Sequence, residues 1–170
     1  MFKHDQLYFT VDDAIRDIKN AVNSPMHTVV ILRGVPGSGK STVAKKIKEV
    51  FTDHEVVICS ADDYFLTSAG EYIFDPSRLP EVHHSCLEKF KRAIAQDGHK
   101  RIVIVDNTNS TFREYSKYNS GLPTFIIELF CKKDDLPKYA ARNLHQVPLE
   151  VIERMFTRWE QEPLSIKIAV

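Results

Sequence analysis

The sequence predicts an α/β fold of three layers, with helices on both faces of a central, mostly parallel sheet of four or five strands. Short apolar segments alternate with segments of helical periodicity, an order that is typical of parallel sheets. The first strand segment, residues 28–33, is continuously apolar at its centre, as expected for a strand buried on both faces. Polar residues follow three of the strands, so a binding site is expected at the carboxyl ends of the sheet.

The composition is that of a single globular domain. The chain has 170 residues, of which 43% are apolar and 27% are charged. Lys plus Arg and Asp plus Glu both number 23, so no overall positive charge favours nucleic acid, although a local basic groove would still accept it. The three cysteines are scattered, and no apolar run reaches the roughly 18 residues of a membrane helix. We therefore expect an intracellular protein, cytoplasmic or nuclear, without disulfides, structural zinc or membrane contact.

A helix is predicted before the first strand, over Val11–Val22. Its apolar residues recur at helical spacing, Thr10 is placed to cap it, and two acidic residues lie in its first turn. Asn23-Ser24-Pro25 would end it. We expect residues 1–25 to be an N-terminal extension with this packing helix, and residues 26–170 to form the domain that carries the site.

The remaining elements follow in order along the chain. Further strands are predicted at 55–59, 101–105 and 124–131. Helices are predicted at 40–51, 80–96, 111–119, 136–144 and 148–159. Residues 66–78 are expected to form a long loop over one end of the sheet, and residues 165–170 either a fifth strand or a tail.

The segment Gly34–Ser41 carries the most specific motif. Gly34 is followed, after four residues, by Gly39-Lys40-Ser41, which is the spacing of a phosphate-binding P-loop, or Walker A motif. Its glycines allow successive backbone N–H groups to surround an anion at the positive end of the following helix. Lys40 would contact the phosphates and Ser41 would ligate Mg²⁺, so the sequence predicts binding of ATP, or another nucleoside triphosphate, with Mg²⁺. The residues predicted to bind the nucleotide are Gly34, Pro36, Gly37, Ser38, Gly39, Lys40, Ser41, Thr42 and Arg142.

Two acids stand after other strands and would face the same crevice. A carboxylate beside a triphosphate is repelled by it, so an acid here would either hold Mg²⁺ through its waters or accept a proton from a hydroxyl. Asp62 is predicted as the proton acceptor, and Asp106 as the acid on the metal side. The alternatives are that Asp62 and Asp63 cap a helix and that Asp106 organises the turn after it. The residues predicted to contact the substrate are Asp62, Asp63, Tyr64, Asn107 and Asn109.

Phosphate transfer also needs a positive side chain near the transferred phosphate, which small P-loop kinases commonly place on a helical lid. Arg142 lies at a predicted helix end, just before the hinge-like Val147-Pro148, and is the first candidate for this catalytic role. Arg154 and Arg158, four residues apart, are the second candidates. The alternative for all three is an ordinary solvated arginine.

Four blocks of sequence together resemble a known family. They are Gly34–Ser41, Ser60–Phe65, Asp106–Asn109 and Arg142-Asn143-x-His145-x-Val147. They closely resemble the P-loop kinase domains called Nedd-four-binding-protein-two-like and, more widely, the polynucleotide 5′-hydroxyl kinases. The resemblance implies a P-loop NTPase fold of the small-kinase type, with a helical lid. It also implies that the acid after the second strand, here Asp62, activates a 5′-hydroxyl.

The chain departs from the phage polynucleotide kinase directly after the paired acids. Where that enzyme has a tyrosine and a substrate-binding arginine, this chain has Tyr64-Phe65. The loop region contains further aromatic residues, among them Tyr72 and Phe74. These four rings would either stack on terminal bases or form a hydrophobic loop core.

The leading hypothesis is therefore a kinase that uses ATP and Mg²⁺ to phosphorylate a hydroxyl, foremost the 5′-hydroxyl end of RNA or DNA. A small-metabolite or nucleoside kinase is the alternative that the neutral charge favours. An ATP-binding regulatory or scaffolding module with little turnover is the alternative from a different class.

Overall fold

The computed structural model describes residues 9–22, 26–96 and 99–169. In these ranges five strands form one sheet in the order β2-β3-β1-β4-β5, and all neighbours are parallel. The strands are β1 (Thr28–Arg33), β2 (Glu55–Cys59), β3 (Arg101–Asp106), β4 (Thr124–Phe130) and β5 (Ile166–Ala169). The predicted parallel sheet is confirmed, and residues 166–169 form a strand rather than a tail because they pair with β4.

Helices connect the strands and cover both faces of the sheet. They are α1 (Val11–Ala21), α2 (Lys40–Val50), α3 (Leu79–Ala95), α4 (Phe112–Tyr115), α5 (Leu136–Arg142) and α6 (Leu149–Thr157). Thr10 caps α1 as predicted: its hydroxyl accepts from the Asp13 N–H, and the Asp13 carboxylate accepts from the Thr10 N–H in return. No helix in the described ranges is long and apolar enough to cross a membrane.

Some element ends differ from the predictions. The helix predicted over 40–51 ends at Val50, which is 37% exposed, and Phe51 after it is 3% exposed and packs inward. The predicted helix over 111–119 is α-helical only through α4 and continues as a tighter 3₁₀ turn over 116–118. The predicted helix end at Asn23-Ser24-Pro25 lies outside the described residues.

The strand β3 is one residue longer than predicted. Asp106 pairs in register with Leu32 of β1, so the carboxylate leaves from the last position of the strand rather than from the loop. Because the position belongs to the sheet, the direction of this side chain is determined by the strand pairing.

The core has one half on each side of the sheet. In β1, Val30 and Leu32 face α1 and α2, whereas Val29 and Ile31 face α3. A third, smaller cluster joins α5 and α6 to the beginning of the P-loop through Val35 and Tyr139. The two halves make the predicted three layers, and the third cluster brings α5 and α6 to the carboxyl edge of the sheet.

The order of strands determines where a ligand can bind. β1 lies between β3 and β4, so the connections from β1 and from β3 leave in opposite directions across the sheet. In open parallel sheets, the crevice at such a switch point is the usual ligand site. The P-loop directly follows β1 and therefore opens into this crevice.

Arg33, the last residue of β1, is completely buried. Its guanidinium donates four hydrogen bonds and has the rings of Tyr115 and Trp159 within 4.8 Å. The acceptors are Glu128 Oε2 (2.7 Å) and the carbonyl oxygens of Asn109 (2.8 Å), Ser110 (3.2 Å) and Glu160 (2.7 Å). Burial raises the pKa of the Glu128 carboxyl, and the charge of Arg33 opposes that shift. Arg33 thus links β1 to β4, to the segment after β3 that contains Asn109 and Ser110, and to Glu160 after α6.

Candidate active site

A cavity of about 1400 Å³ lies at the carboxyl ends of β1 and β3. The P-loop forms one wall and a lid segment, residues 142–148, forms another. Asp62, Tyr72 and Phe74 also line the cavity. Typical small-molecule pockets measure roughly 300–1,000 Å³, so this cavity has room for a nucleotide and a second substrate.

The P-loop has the backbone shape that its glycines predict. Gly37 and Gly39 both have positive φ, 79° and 99°, a region that glycine adopts without strain. Gly39 begins α2 without a side-chain cap, so the first N–H groups of the helix face the cavity side of the loop. Ser38 Oγ is buried and has no hydrogen-bond partner among the described residues. This is the geometry of an anion cradle.

Alanine at Gly37 is expected to distort this cradle. A Cβ there would lie 2.1 Å from the Tyr139 carbonyl oxygen of α5, on top of the strain of a positive φ. The strain alone costs about 1–2 kcal/mol, and the overlap with backbone must displace either the loop or α5. We expect Gly37→Ala to weaken ATP binding and to lower the melting temperature by more than about 4 °C, measured by thermal unfolding with and without ATP.

Gly70→Ala is the matched control for that change. Gly70 also has a positive φ, 81°, but nothing lies within 4 Å of a Cβ built on it. Its substitution therefore isolates the backbone strain from the overlap. Equal losses of stability and unchanged ATP binding in the two variants would contradict the role of close packing at Gly37.

Lys40 lies along the P-loop, and its ammonium donates to the Val35 carbonyl at 3.2 Å. Burial lowers the pKa of the Lys40 ammonium, and the negative charges of Asp106 and Asp62 oppose the shift. Lys40, Asp62 and Asp106 all line the cavity. The three strand ends do converge on one site.

Asp106 and Ser41 offer oxygen atoms suited to a hard cation. Burial raises the pKa of the Asp106 carboxyl, and the charge of Lys40 opposes that shift. Asp106 Oδ1 is buried and has no partner among the described residues. Over the same residues no cluster of three or more His, Cys, Asp or Glu side chains could hold a metal alone. The donor set fits Mg²⁺, which typically takes one or two protein oxygens together with phosphates and waters.

Asp62 faces the cavity with its side chain half exposed. Tyr72 donates its hydroxyl to Asp62 Oδ1 at 3.3 Å, and His145 Nε2 lies 3.5 Å from Asp62 Oδ2. The carboxylate does not cap the 3₁₀ turn over Asp62–Phe65, whose preceding residue makes no side-chain cap. Asp62 is therefore oriented by two rings and open to the cavity.

Asp63 and Tyr64 lie outside the lining of this cavity. The Asp63 carboxylate pairs with Lys89 of α3 at 3.3 Å. The Tyr64 hydroxyl donates to the Ser85 carbonyl, and the ring packs against the core. The structure does not bring these two predicted substrate contacts together with Asp62.

The aromatic loop residues divide between the two predicted possibilities. Phe65 is 2% exposed and packs against Tyr72 and Phe74, so it belongs to a hydrophobic loop core. Phe74 is 52% exposed and lines the cavity. Of these rings, Phe74 presents the accessible face.

Asn107 and Asn109 line the cavity, but their amides already make hydrogen bonds within the chain. Asn107 accepts from the Ala61 N–H and donates to the Tyr118 hydroxyl. Asn109 has a positive φ of 51° and donates to the Leu32 carbonyl. Both side chains join neighbouring strand ends, and substrate contact by them stays a prediction.

The three candidate arginines reach different places. Arg142 donates to the Gly37 carbonyl of the P-loop, and its guanidinium lies over the Tyr139 ring. Arg158 lines the cavity and donates to Ser110 Oγ at 3.1 Å. Arg154 does not line the cavity. Arg142 is thus the candidate that meets the phosphate-binding loop directly.

Two residues at the site were given no role from the sequence. Asn143 holds the lid segment by hydrogen bonds to Ala140 and Val147, and His145 contacts Asp62. Both stand inside the Arg142-Asn143-x-His145-x-Val147 pattern. Their presence in that pattern was the available signal. The partners of Asn143 are local, whereas Asp62, the partner of His145, lies far earlier in the chain.

The family can be assigned from comparison with known proteins. The model of the family described as chromatin associated protein KTI12 matches residues 27–167. The chain belongs to the KTI12 family. NEDD4-binding protein 2 from Homo sapiens is 35% identical over 141 residues, which confirms the resemblance seen in the motifs. The match covers 78% of this chain, and the chain spans 8% of the length of that relative.

Solved structures with low identity share the fold. The Mycobacterium tuberculosis APS kinase CysC in complex with AMPPNP and APS has a TM-score of 0.61 at 12% identity, covering 86% of this chain and 90% of that one. A chain of the Pnkp1/Rnl/Hen1 RNA repair complex has a TM-score of 0.59 at 18% identity, covering 98% of this chain and 52% of that one. This member of the KTI12 family therefore has a P-loop kinase-like fold, and its P-loop supports nucleotide binding.

Proposed function

We propose that this domain is a kinase that transfers the γ-phosphate of ATP, with Mg²⁺, to a hydroxyl group. The observation that carries the proposal is the position of Asp62. Its carboxylate faces the cavity near Lys40 and is oriented by Tyr72 rather than neutralised by a lysine or arginine contact among the described residues. A nucleotide-binding loop alone needs no such acid, whereas a hydroxyl acceptor needs a group that takes its proton.

Each residue has a defined part in the transfer. Lys40 and Arg142 would hold the phosphates, and Asp62 would accept the proton of the attacking hydroxyl. A bond forms between the acceptor oxygen and the γ-phosphorus, the bond to the bridging oxygen breaks, and ADP leaves. Ser41 and Asp106 would hold Mg²⁺, which supplies positive charge beside the phosphates when it is bound.

We propose the 5′-hydroxyl end of RNA or DNA as the acceptor. Four sequence blocks support this choice by their resemblance to polynucleotide kinases, and the fold shared with a chain of an RNA repair complex is compatible with it. The cavity lining includes the exposed ring of Phe74, which would stack on a base, and Lys117, which would pair with a phosphate.

A small-molecule acceptor is the second candidate. Phe65 occupies the position where a phosphate-reading arginine was expected, and it is buried in the loop core. The chain has no net charge, so no long-range field attracts a polyanion. A nucleoside, or a metabolite with a hydroxyl group, would fit the same site.

An acceptor screen with γ-labelled ATP tests the proposal. The panel contains 5′-hydroxyl RNA, 5′-hydroxyl DNA, the matching 5′-phosphorylated strands, nucleosides and sugars, with Lys40→Met as the inactive control. We expect label on the 5′-hydroxyl strands alone, with activity falling as salt rises. Label on nucleosides or sugars would favour the second candidate. Thermal stabilisation by ATP without label on any acceptor would instead indicate a regulatory nucleotide-binding module.

A further inference from the structure

The lid segment touches both sides of the cavity within four residues. At one end, Arg142 donates to the Gly37 carbonyl of the P-loop. Three residues later, His145 Nε2 lies 3.5 Å from Asp62 Oδ2. One short segment of the chain therefore contacts both the P-loop and Asp62.

The lid segment also has a defined shape. The Asn143 amide donates to the carbonyls of Ala140 (2.7 Å) and Val147 (3.2 Å), and its oxygen accepts from the Val147 N–H at 2.7 Å. Gln146 has a positive φ of 53°, which turns the backbone back toward α6. These bonds set the distance between Arg142 and His145.

The His145 imidazole contacts the ring of Tyr72 as well as the carboxylate of Asp62. It lies on Tyr72 with ring centroids 4.1 Å apart and planes inclined by 33°. Tyr72 in turn donates its hydroxyl to the other carboxylate oxygen of Asp62. The three side chains form a closed group in which each contacts the other two. His145 Nδ1 is buried and has no partner among the described residues, so the Nε2 edge carries the polar contact.

We propose that His145 is the positioning residue for Asp62, aligning the carboxylate for the acceptor hydroxyl only while the lid segment lies against the P-loop. The inference rests on the proposed kinase function. A carboxylate contacted only by Tyr72 can rotate about its Cβ–Cγ bond, whereas contacts to both oxygens fix its plane. His145 and Arg142 lie on the same lid segment. Alignment of Asp62 therefore depends on the contact between Arg142 and the P-loop, which also brings Arg142 to the phosphates.

Removing His145 should affect the transfer step rather than the binding of ATP. Misplacement of a catalytic group by about 1 Å can cost on the order of 100-fold in rate. We expect His145→Ala to lower kcat by about 10- to 100-fold, with the KM for ATP changed less than about twofold. His145→Gln, whose amide N–H could contact Asp62 from the same position, should recover part of the lost kcat. His99→Ala, at the exposed amino end of β3, is the control and should behave as the wild type.

A double-mutant cycle separates positioning from a merely structural role. In the Asp62→Asn background, His145→Ala should lower kcat by less than about twofold, because its target carboxylate is already gone. Full additivity of the two substitutions would overturn the inference. So would a wild-type kcat in His145→Ala, or an increased KM for ATP as its main effect.

A measurement without turnover distinguishes failure of the inference from failure of the proposed function. The NMR signals of the His145 ring should move on Asp62→Asn and stay in place on Asp63→Asn, since Asp63 pairs with Lys89 instead. Unchanged signals in the Asp62 variant would overturn the contact itself. If those signals move as expected but the wild type phosphorylates no acceptor, the proposed function is wrong and the catalytic part of the inference falls with it.

Discussion

Asparagine in place of Asp62 is expected to lower kcat for phosphate transfer by about 10²- to 10⁴-fold, which is the usual contribution of a general base. The amide keeps the shape of the side chain and can still accept from Tyr72, but it cannot take the hydroxyl proton. ATP binding should be almost unchanged, because the proposed role of Asp62 is to act on the acceptor hydroxyl rather than to hold the phosphates. Steady-state kinetics with labelled ATP and the best acceptor measure both effects.

Asp63→Asn is the matched control for Asp62. The two carboxylates are neighbours in the sequence and have the same half exposure, but Asp63 pairs with Lys89 outside the cavity. An exposed pair of this kind contributes at most about 1 kcal/mol to stability. The Asp63 variant should therefore keep its kcat. If both variants lost activity equally, or if Asp62→Asn matched the wild type, the assignment of the proton acceptor would be wrong.

Methionine in place of Arg33 is expected to lower the free energy of unfolding by about 3–5 kcal/mol, the typical cost of removing one partner of a buried ion pair. The substitution leaves Glu128 buried without its cation, and three backbone carbonyls lose a donor. For a chain of this size, that loss corresponds to a fall in melting temperature of about 6–20 °C. Urea unfolding and calorimetry measure the two quantities.

Arg16→Met provides the comparison with a surface ion pair. Arg16 is 63% exposed and bonds to Asp13 at 3.0 Å. Its removal should cost less than about 1 kcal/mol. A similarly small loss for Arg33→Met would contradict the view that the buried guanidinium holds the base of the P-loop in place. A refolded Arg33 variant should also bind ATP more weakly, since Gly34 directly follows Arg33.

The burial of Arg33 shows why the contacts that support the P-loop could not be predicted from the sequence. An arginine at the end of a strand is usually solvated, and local patterns predict only the strand. Its four acceptors lie 76 to 127 residues further along the chain. Because those contacts depend on how β4 and the segment after α6 pack, no spacing rule near residue 33 could have indicated them.

The loop after the paired acids shows the same limit in another form. Its aromatic residues predicted either stacking surfaces or a loop core. Packing separated them: Phe65 is buried beneath Tyr72, whereas Phe74 remains exposed at the cavity. This difference in burial depends on contacts between the rings, which no periodic pattern encodes.

The nucleotide-binding part of the site could be predicted from the sequence, because the residues that form the P-loop are consecutive. Eight consecutive residues determine the glycine conformations, the start of α2 and the positions of Lys40 and Ser41, and the apolar runs around them specify parallel strands. The rest of the site depends on packing between distant segments. Strand pairing turns Asp106 inward, α3 draws Asp63 away, and the lid segment brings His145 onto Asp62. Side-chain partners across such separations are selected by the packed core, so only the folded chain distinguishes the acid that faces the cavity from its neighbour.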